Sequence, residues 1–169
     1  IKLVMDDMEI ASCKIGMIGN VELVDVIQNE LSNTNIPIVL DPVLSATSGK
    51  SFTDENICKN IVSALVPLTT ILTPNTKEAR FLSEENDLDK AANKLLAYGT
   101  KSILITGTDE KTDNVINSFY TAEQSPVVYQ WERLAETYHG SGCTLSSRIA
   151  ALLALGKDLE SAIEDAQAY

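Results

Sequence analysis

The chain has 169 residues, room for one domain or a large part of one, and 44 % apolar against 22 % charged residues is the balance of a soluble globular protein with a sizeable core. Thirteen basic against twenty-four acidic residues give a net charge of −11, and no basic block interrupts it, which argues against nucleic acid and anionic membrane as partners. No apolar run is long enough to span a bilayer and no signal-peptide pattern is present; three widely spaced cysteines (Cys13, Cys58, Cys143) and one histidine (His139) form no metal-ligand pattern, fit a reduced cytoplasmic compartment and disfavour a zinc site or a Ser-His-Asp hydrolase.

In chain order, Ile1-Lys2-Leu3-Val4 reads as the tail of a helix already under way. Residues 13–18 read as a short buried strand, and Asn20 caps a helix with Val21, Val24, Ile27 and Leu31 at helical spacing. Pro37–Leu40 is a second strand ending on Asp41-Pro42-Val43, followed by a loop with Thr47-Ser48-Gly49. Asp54 caps a helix carrying Ile57, Ile61 and Leu65, and Thr69–Leu72 returns as a third strand ending on Thr73-Pro74-Asn75. Helices are expected over 76–84 and 88–98, with Gly99 as a stop, then a fourth strand over 101–105 running into Thr106-Gly107-Thr108. Val115–Tyr120 and Val127–Trp131 read as two antiparallel strands; a helix over 144–155 and a last one capped by Asp158 close the chain, the last without a stop signal through Tyr169. The expectation is a single, incomplete domain over 1–169. Strands alternating with amphipathic helices predict βαβ units and a mainly parallel sheet covered on both faces, with an antiparallel edge. Cys13 and Cys58 are expected in the core, His139 in a structural role, and Tyr129 and Trp131 over the sheet edge.

Ligands bind beyond the carboxyl ends of the strands in such sheets. Those ends carry Gly16-Met17, Asp41, Asn75 with Glu78 one turn on, and Thr106-Gly107. His139-Gly140-Ser141-Gly142-Cys143-Thr144 belongs on the same rim: glycines before an apolar helix let backbone N–H groups approach an anion, and the helix start adds its dipole. Taken alone, that stretch equally describes a tight turn with a small cysteine capping a core helix. In the functional reading, Cys143 at the helix start has its thiol pKa lowered toward neutrality and serves as a base. Two carboxylates beside a phosphate suit Mg²⁺, which keeps water and phosphate oxygens as ligands. An anion seat, a base and a metal pair are what phosphoryl transfer to an alcohol requires. A covalent role for Cys143 lacks a suitable base, since His139 is only four residues upstream.

Asp41-Pro42-Val43 with Ala46-Thr47-Ser48-Gly49, then Thr73-Pro74-Asn75-Thr76-Lys77-Glu78-Ala79, then His139–Thr144, in this order along essentially the whole chain, closely resemble the ribokinase-like superfamily and, within it, the hydroxymethylpyrimidine/phosphomethylpyrimidine kinases of thiamine biosynthesis. The resemblance implies a three-layer α/β fold lacking its N-terminal βα units and C-terminal end, and ATP- and Mg²⁺-dependent phosphorylation of hydroxymethylpyrimidine and its monophosphate. The alternatives are a pyridoxal kinase of the same superfamily or a non-catalytic, truncated nucleotide-binding domain. It implies Cys143 as the base, with Gly140, Ser141 and Gly142 as an anion hole. Asn75, Glu78, Thr106 and Gly107 fall at the nucleotide, Asp41 and Glu78 at the metal, and Met17 and Val43 at the pyrimidine. Two departures stand out: Thr106 replaces a lysine common in relatives, and Gly107-Thr108-Asp109 replaces Gly-Gly-His. Partners are expected to be the pyrimidine and ATP, with no nucleic acid or membrane, in a homo-oligomer.

Overall fold

The first helix, α1 (Lys2–Asp7), buries no residue. The chain then builds a sheet by stepping in one direction: β1 (Cys13–Ile15), β2 (Ile38–Leu40), β3 (Ile71–Leu72) and β4 (Ser102–Ile105) pair in parallel as successive neighbours. The computed structural model describes residues 1–44, 55–136 and 139–168, so the expected Ala46–Gly49 loop motif and the Asp54 cap lie outside the described residues. When consecutive parallel strands advance the same way, right-handed crossovers put every connecting helix on one face. Among the described residues four α-helices come between these strands: α2 (Val21–Leu31), α3 (Glu55–Asn60), α4 (Thr76–Ser83) and α5 (Leu88–Ala97). The expected helix through Ile57, Ile61 and Leu65 is one α-helical turn and a half that widens to a π-turn over Ile61–Leu65 and tightens to a 3₁₀ turn over Val66–Leu68, where Pro67 ends it.

After β4 the sheet reverses. β5 (Asn114–Thr121) pairs antiparallel with β4, and β6 (Val127–Glu132) antiparallel with β5, so that among the described residues one six-stranded sheet runs β1-β2-β3-β4-β5-β6. The opposite face is left to α6 (Ser141–Ala154) and α7 (Leu159–Gln167), and α6 packs on β1 and β2.

Strand side chains alternate between the two faces, as a period of two requires. Ile38, Leu40, Leu72, Ile103, Ile105 and Tyr120 join the core under α2–α5, while Val39, Ile71, Leu104 and Phe119 join a separate core with Ile149 and Ala150 of α6 and Ile163 and Ala166 of α7. Cys58 is buried and Cys13 packs against the first core, as expected. The caps at Asn20 and Asp158 form as anticipated, accepting from the Leu23 and Ser161 N–H at 2.9 Å. Tyr129 packs on the second core, and the Trp131 indole donates to Gln167 at 3.2 Å, covering the β6 end of the sheet. No helix among the described residues is long and apolar enough to cross a membrane.

The antiparallel excursion passes so close to the end of β4 that a Cβ at Gly107 would stand 2.1 Å from the Ile116 carbonyl oxygen. Gly107→Ala is therefore expected to cost about 3 kcal/mol or more, because main chain must move to admit the methyl group. Equilibrium urea unfolding measures this; an unchanged midpoint would show that the two segments separate freely.

Candidate functional site

The rim beyond the strand ends is assembled by backbone geometry first. Asp41 N–H donates to Ile15 at 2.9 Å, Thr73 N–H to Leu40 at 2.9 Å, and Thr106 N–H to Pro74 at 2.9 Å, so each strand exit is pinned to the next. An isolated parallel bridge, Asn75 to Thr106, extends the β3–β4 pairing onto the rim.

Asn75-x-x-Glu78 opens α4 as a capping box. The Asn75 side chain accepts from Glu78 N–H at 2.9 Å, and Glu78 Oε2 accepts from Asn75 N–H at 2.9 Å. Its other oxygen, Oε1, accepts from Leu44 N–H at 3.3 Å, which ties the exit of β2 to the start of α4. Glu78 is buried, and its pKa is pushed up to about 7: desolvation outweighs the two backbone hydrogen bonds, and the charges of Asp41 and Asp109 add to it.

Asp41 is buried at the end of β2. Its Oδ2 pairs with Lys14 Nζ at 3.0 Å and accepts from Ser146 Oγ at 3.1 Å. Ser146 lies one turn into α6, so this contact sets the start of that helix over the strand ends. Helix α6 begins at Ser141, three residues earlier than expected, with Gly140 as its N-cap at φ 84°. That left-handed conformation is one an L side chain resists, which accounts for glycine there. The first bond inside the helix is Thr144 N–H to Gly140 at 2.8 Å, so the helix itself offers no acceptor to the N–H groups of Gly142 and Cys143. Gly140, Ser141, Gly142 and Cys143 are all exposed, and an open depression of about 490 Å³ beside Cys143 is lined by Thr144, Ser147, Arg148 and Ala151. His139 is exposed in the preceding turn.

The Cys143 thiol departs from expectation. Its pKa is raised, first by desolvation and then by the Asp41 carboxylate, which it also faces at hydrogen-bonding range; the charge on Lys14 opposes this, and Glu78 adds to the rise. Desolvation, with the neighbouring carboxylate adding to it, thus outweighs the lowering expected at a helix start.

Thr106 is half-buried, with its carbonyl accepting from Thr76 N–H at 3.1 Å. Gly107, the glycine expected at the nucleotide, is buried, and its N–H donates to Asn117 Oδ1 at 3.0 Å. The loop after it is held by a residue the sequence reading missed: Arg133 donates to the carbonyls of Glu110 and Thr112 at 2.7 Å and of Thr108 at 3.0 Å. From the other side, Arg80 pairs with Glu110 at 2.6 Å and Lys77 with Asp109 at 3.4 Å. Met17 is exposed and Val43 half-buried, on the exits of β1 and β2.

As a place for Mg²⁺, the donor set is hard oxygen. Among the described residues no three acidic, cysteine or histidine groups converge on one point, and Asp41 and Glu78 already accept hydrogen bonds. This fits an ion that takes one or two carboxylates and keeps water and phosphate oxygens, and does not fit a metal caged by protein.

The fold recurs in solved structures. A Bacillus subtilis pyridoxal kinase in an ADP complex superposes with a TM-score of 0.87 at 28 % identity, covering 97 % of this chain and 64 % of that one. A phosphomethylpyrimidine kinase from Clostridium difficile superposes with a TM-score of 0.85 at 28 % identity, covering 99 % and 71 %. The fold is that of the ribokinase-like class. Within that class, the sequence pattern of the phosphomethylpyrimidine kinase family matches residues 1–169, and the chain belongs to that family. Hydroxymethylpyrimidine/phosphomethylpyrimidine kinases of Synechococcus elongatus and Haemophilus influenzae are 32 % and 31 % identical over 98 % and 100 % of the chain. The chain spans 65 % and 66 % of their lengths.

The raised Glu78 carboxyl has a stability consequence with a definite sign. Between the unfolded value of 4.5 and the folded value of about 7 the folded state holds the extra proton, so stability falls as pH rises through that window. In metal-free buffer the loss should be on the order of 2–3 kcal/mol, and Glu78→Gln, which keeps an acceptor for Asn75 N–H, should flatten the slope. Denaturant midpoints from pH 4.5 to 8 measure it; equal slopes in both proteins would remove Glu78 as the cause.

Proposed function

We propose that this chain forms the phosphoryl-transfer part of an ATP- and Mg²⁺-dependent kinase acting on hydroxymethylpyrimidine and then on its monophosphate. The observation that carries the reading is the meeting of three sequence-distant segments: the α6 start at Gly140–Cys143, Asp41 at the end of β2, and the Asn75/Glu78 box at the start of α4. Family membership over the whole chain supports the substrate class.

In this reading the first turn of α6 directs the N–H groups of Gly142 and Cys143, with Gly140 and Ser141 shaping the turn, at the charge that develops on the transferred phosphoryl group. Preorganised donors of this kind are worth roughly 10²–10³ in rate each. Cys143 accepts the proton of the substrate hydroxymethyl group. Met17 and Val43 flank the pyrimidine on the exits of β1 and β2, while Asn75 and Thr106 stand on the nucleotide side. Asp41 and Glu78 would hold Mg²⁺, whose chemistry there is charge neutralisation between phosphate oxygens. The setting is cytoplasmic and the working form a homo-oligomer.

ATP consumption by the polypeptide containing this chain, offered hydroxymethylpyrimidine, its monophosphate and pyridoxal, tests the proposal. Both pyrimidines should be turned over, and Cys143→Ala should lower kcat by two orders of magnitude or more, the scale of a lost base. Turnover of pyridoxal alone would move the assignment to the pyridoxal kinases, and ATP binding without turnover of any acceptor to a binding domain.

A further inference from the structure

Among the described residues, Lys14 is the one ammonium that meets this rim from within the sheet. It stands on β1, its side chain is 19 % exposed, and its Nζ lies 3.0 Å from Asp41 Oδ2. The space for it is made by a neighbour: a Cβ at Gly16 would fall 2.8 Å from Nζ. A lysine in the middle of a short parallel strand is costly to bury and needs a partner, and here the strand register supplies one by placing Lys14 opposite Val39, two residues before Asp41.

From this geometry we infer that Lys14 is a positioning residue for the site, the built-in counter-cation of Asp41. The inference rests on the proposed phosphoryl-transfer reading and adds to it. The carboxylate of Asp41 sits under the first turn of α6, in contact with Ser146 and facing Cys143. An uncompensated carboxylate there would satisfy the helix dipole itself and repel an incoming phosphate. Lys14 neutralises it at the same oxygen, Oδ2, that accepts from Ser146. The other charged group acting on Cys143 is Glu78, on α4. Lys14 thus keeps the helix start receptive to an anion without touching the substrate.

Two measurements on the whole polypeptide test this, one of them independent of turnover. In metal-free buffer, modification of Cys143 by cationic and anionic methanethiosulfonates, followed by mass spectrometry of the Cys143 peptide, reads the local potential as a rate ratio in which the thiolate fraction cancels. Lys14→Met should shift the ratio toward the cationic reagent by about five- to tenfold, the effect of one unscreened unit charge a few ångströms away, and Asp41→Asn added to it should restore the ratio. In turnover, Lys14→Met should lower kcat about tenfold or more with KM for ATP changed less than threefold, and should have no further effect in an Asp41→Asn background, since it acts through that residue. Gly16→Ala, which crowds Nζ while keeping the charge, should reproduce part of the kcat loss. An unchanged reagent ratio, or additive losses in the double variant, would overturn the inference. Absence of any wild-type turnover alongside the expected ratio shift would overturn the kinase reading and leave the role of Lys14 standing.

Discussion

The β2–α4 side of the rim depends on one buried carboxylate. Glu78 accepts from Asn75 and from Leu44, thirty-four residues away in sequence, and so fixes the exit of β2 relative to the start of α4. Two hydrogen bonds from backbone amides favour the ionised form, yet burial and nearby acidic groups hold the pKa at about 7. The balance between those terms makes this group structural and charge-sensitive together: a cation arriving near it tips the carboxyl to its ionised state, in which both hydrogen bonds are strongest.

The two helical layers divide the work that follows. The layer of α2–α5 contains the crossovers, and its order is dictated by strands that advance in one direction. The layer of α6 and α7 carries the glycine-framed turn, and its placement depends on polar contacts as much as on packing. Ser12 Oγ donates to the Ala150 carbonyl at 2.8 Å in the middle of α6, and Ser146 reaches Asp41 near its start. With both points fixed, the first turn of α6 cannot slide along the sheet without breaking a hydrogen bond.

Much of this is legible in the residues themselves. Val39 between Ile38 and Leu40 already shows a strand buried on both faces, and the spacing of Val24 and Leu31 gives α2 its inward side. The caps at Asn20 and Asp158 are local chemistry, and local chemistry reads well. The start of α6 does not, because two glycines look like loop although the first helical turn tolerates them. Lys14 is illegible for another reason: a strand lysine reads as solvent-facing until the parallel register places it beside Asp41. The expectation for Cys143 is reversed by desolvation and by Asp41, neither of which is visible in sequence, whereas the helix-start position is. Gly107 shows the complementary limit, since the close passage of the Ile116 backbone that requires a glycine there is not visible in sequence.

The hydrogen bond between Asp41 and Ser146 joins residues 105 positions apart, and Ser12 and Ala150 are 138 apart. Closing such loops costs chain entropy before any contact rewards it. The parallel strands and their helices can form by local steps, whereas the rim exists only once α6 has docked across the finished sheet. Docking of α6 therefore completes the rim through contacts of long sequence separation, and a chain that had lost α6 would leave Val39, Ile71, Leu104 and Phe119 without the Ile149 and Ala150 side chains that cover them.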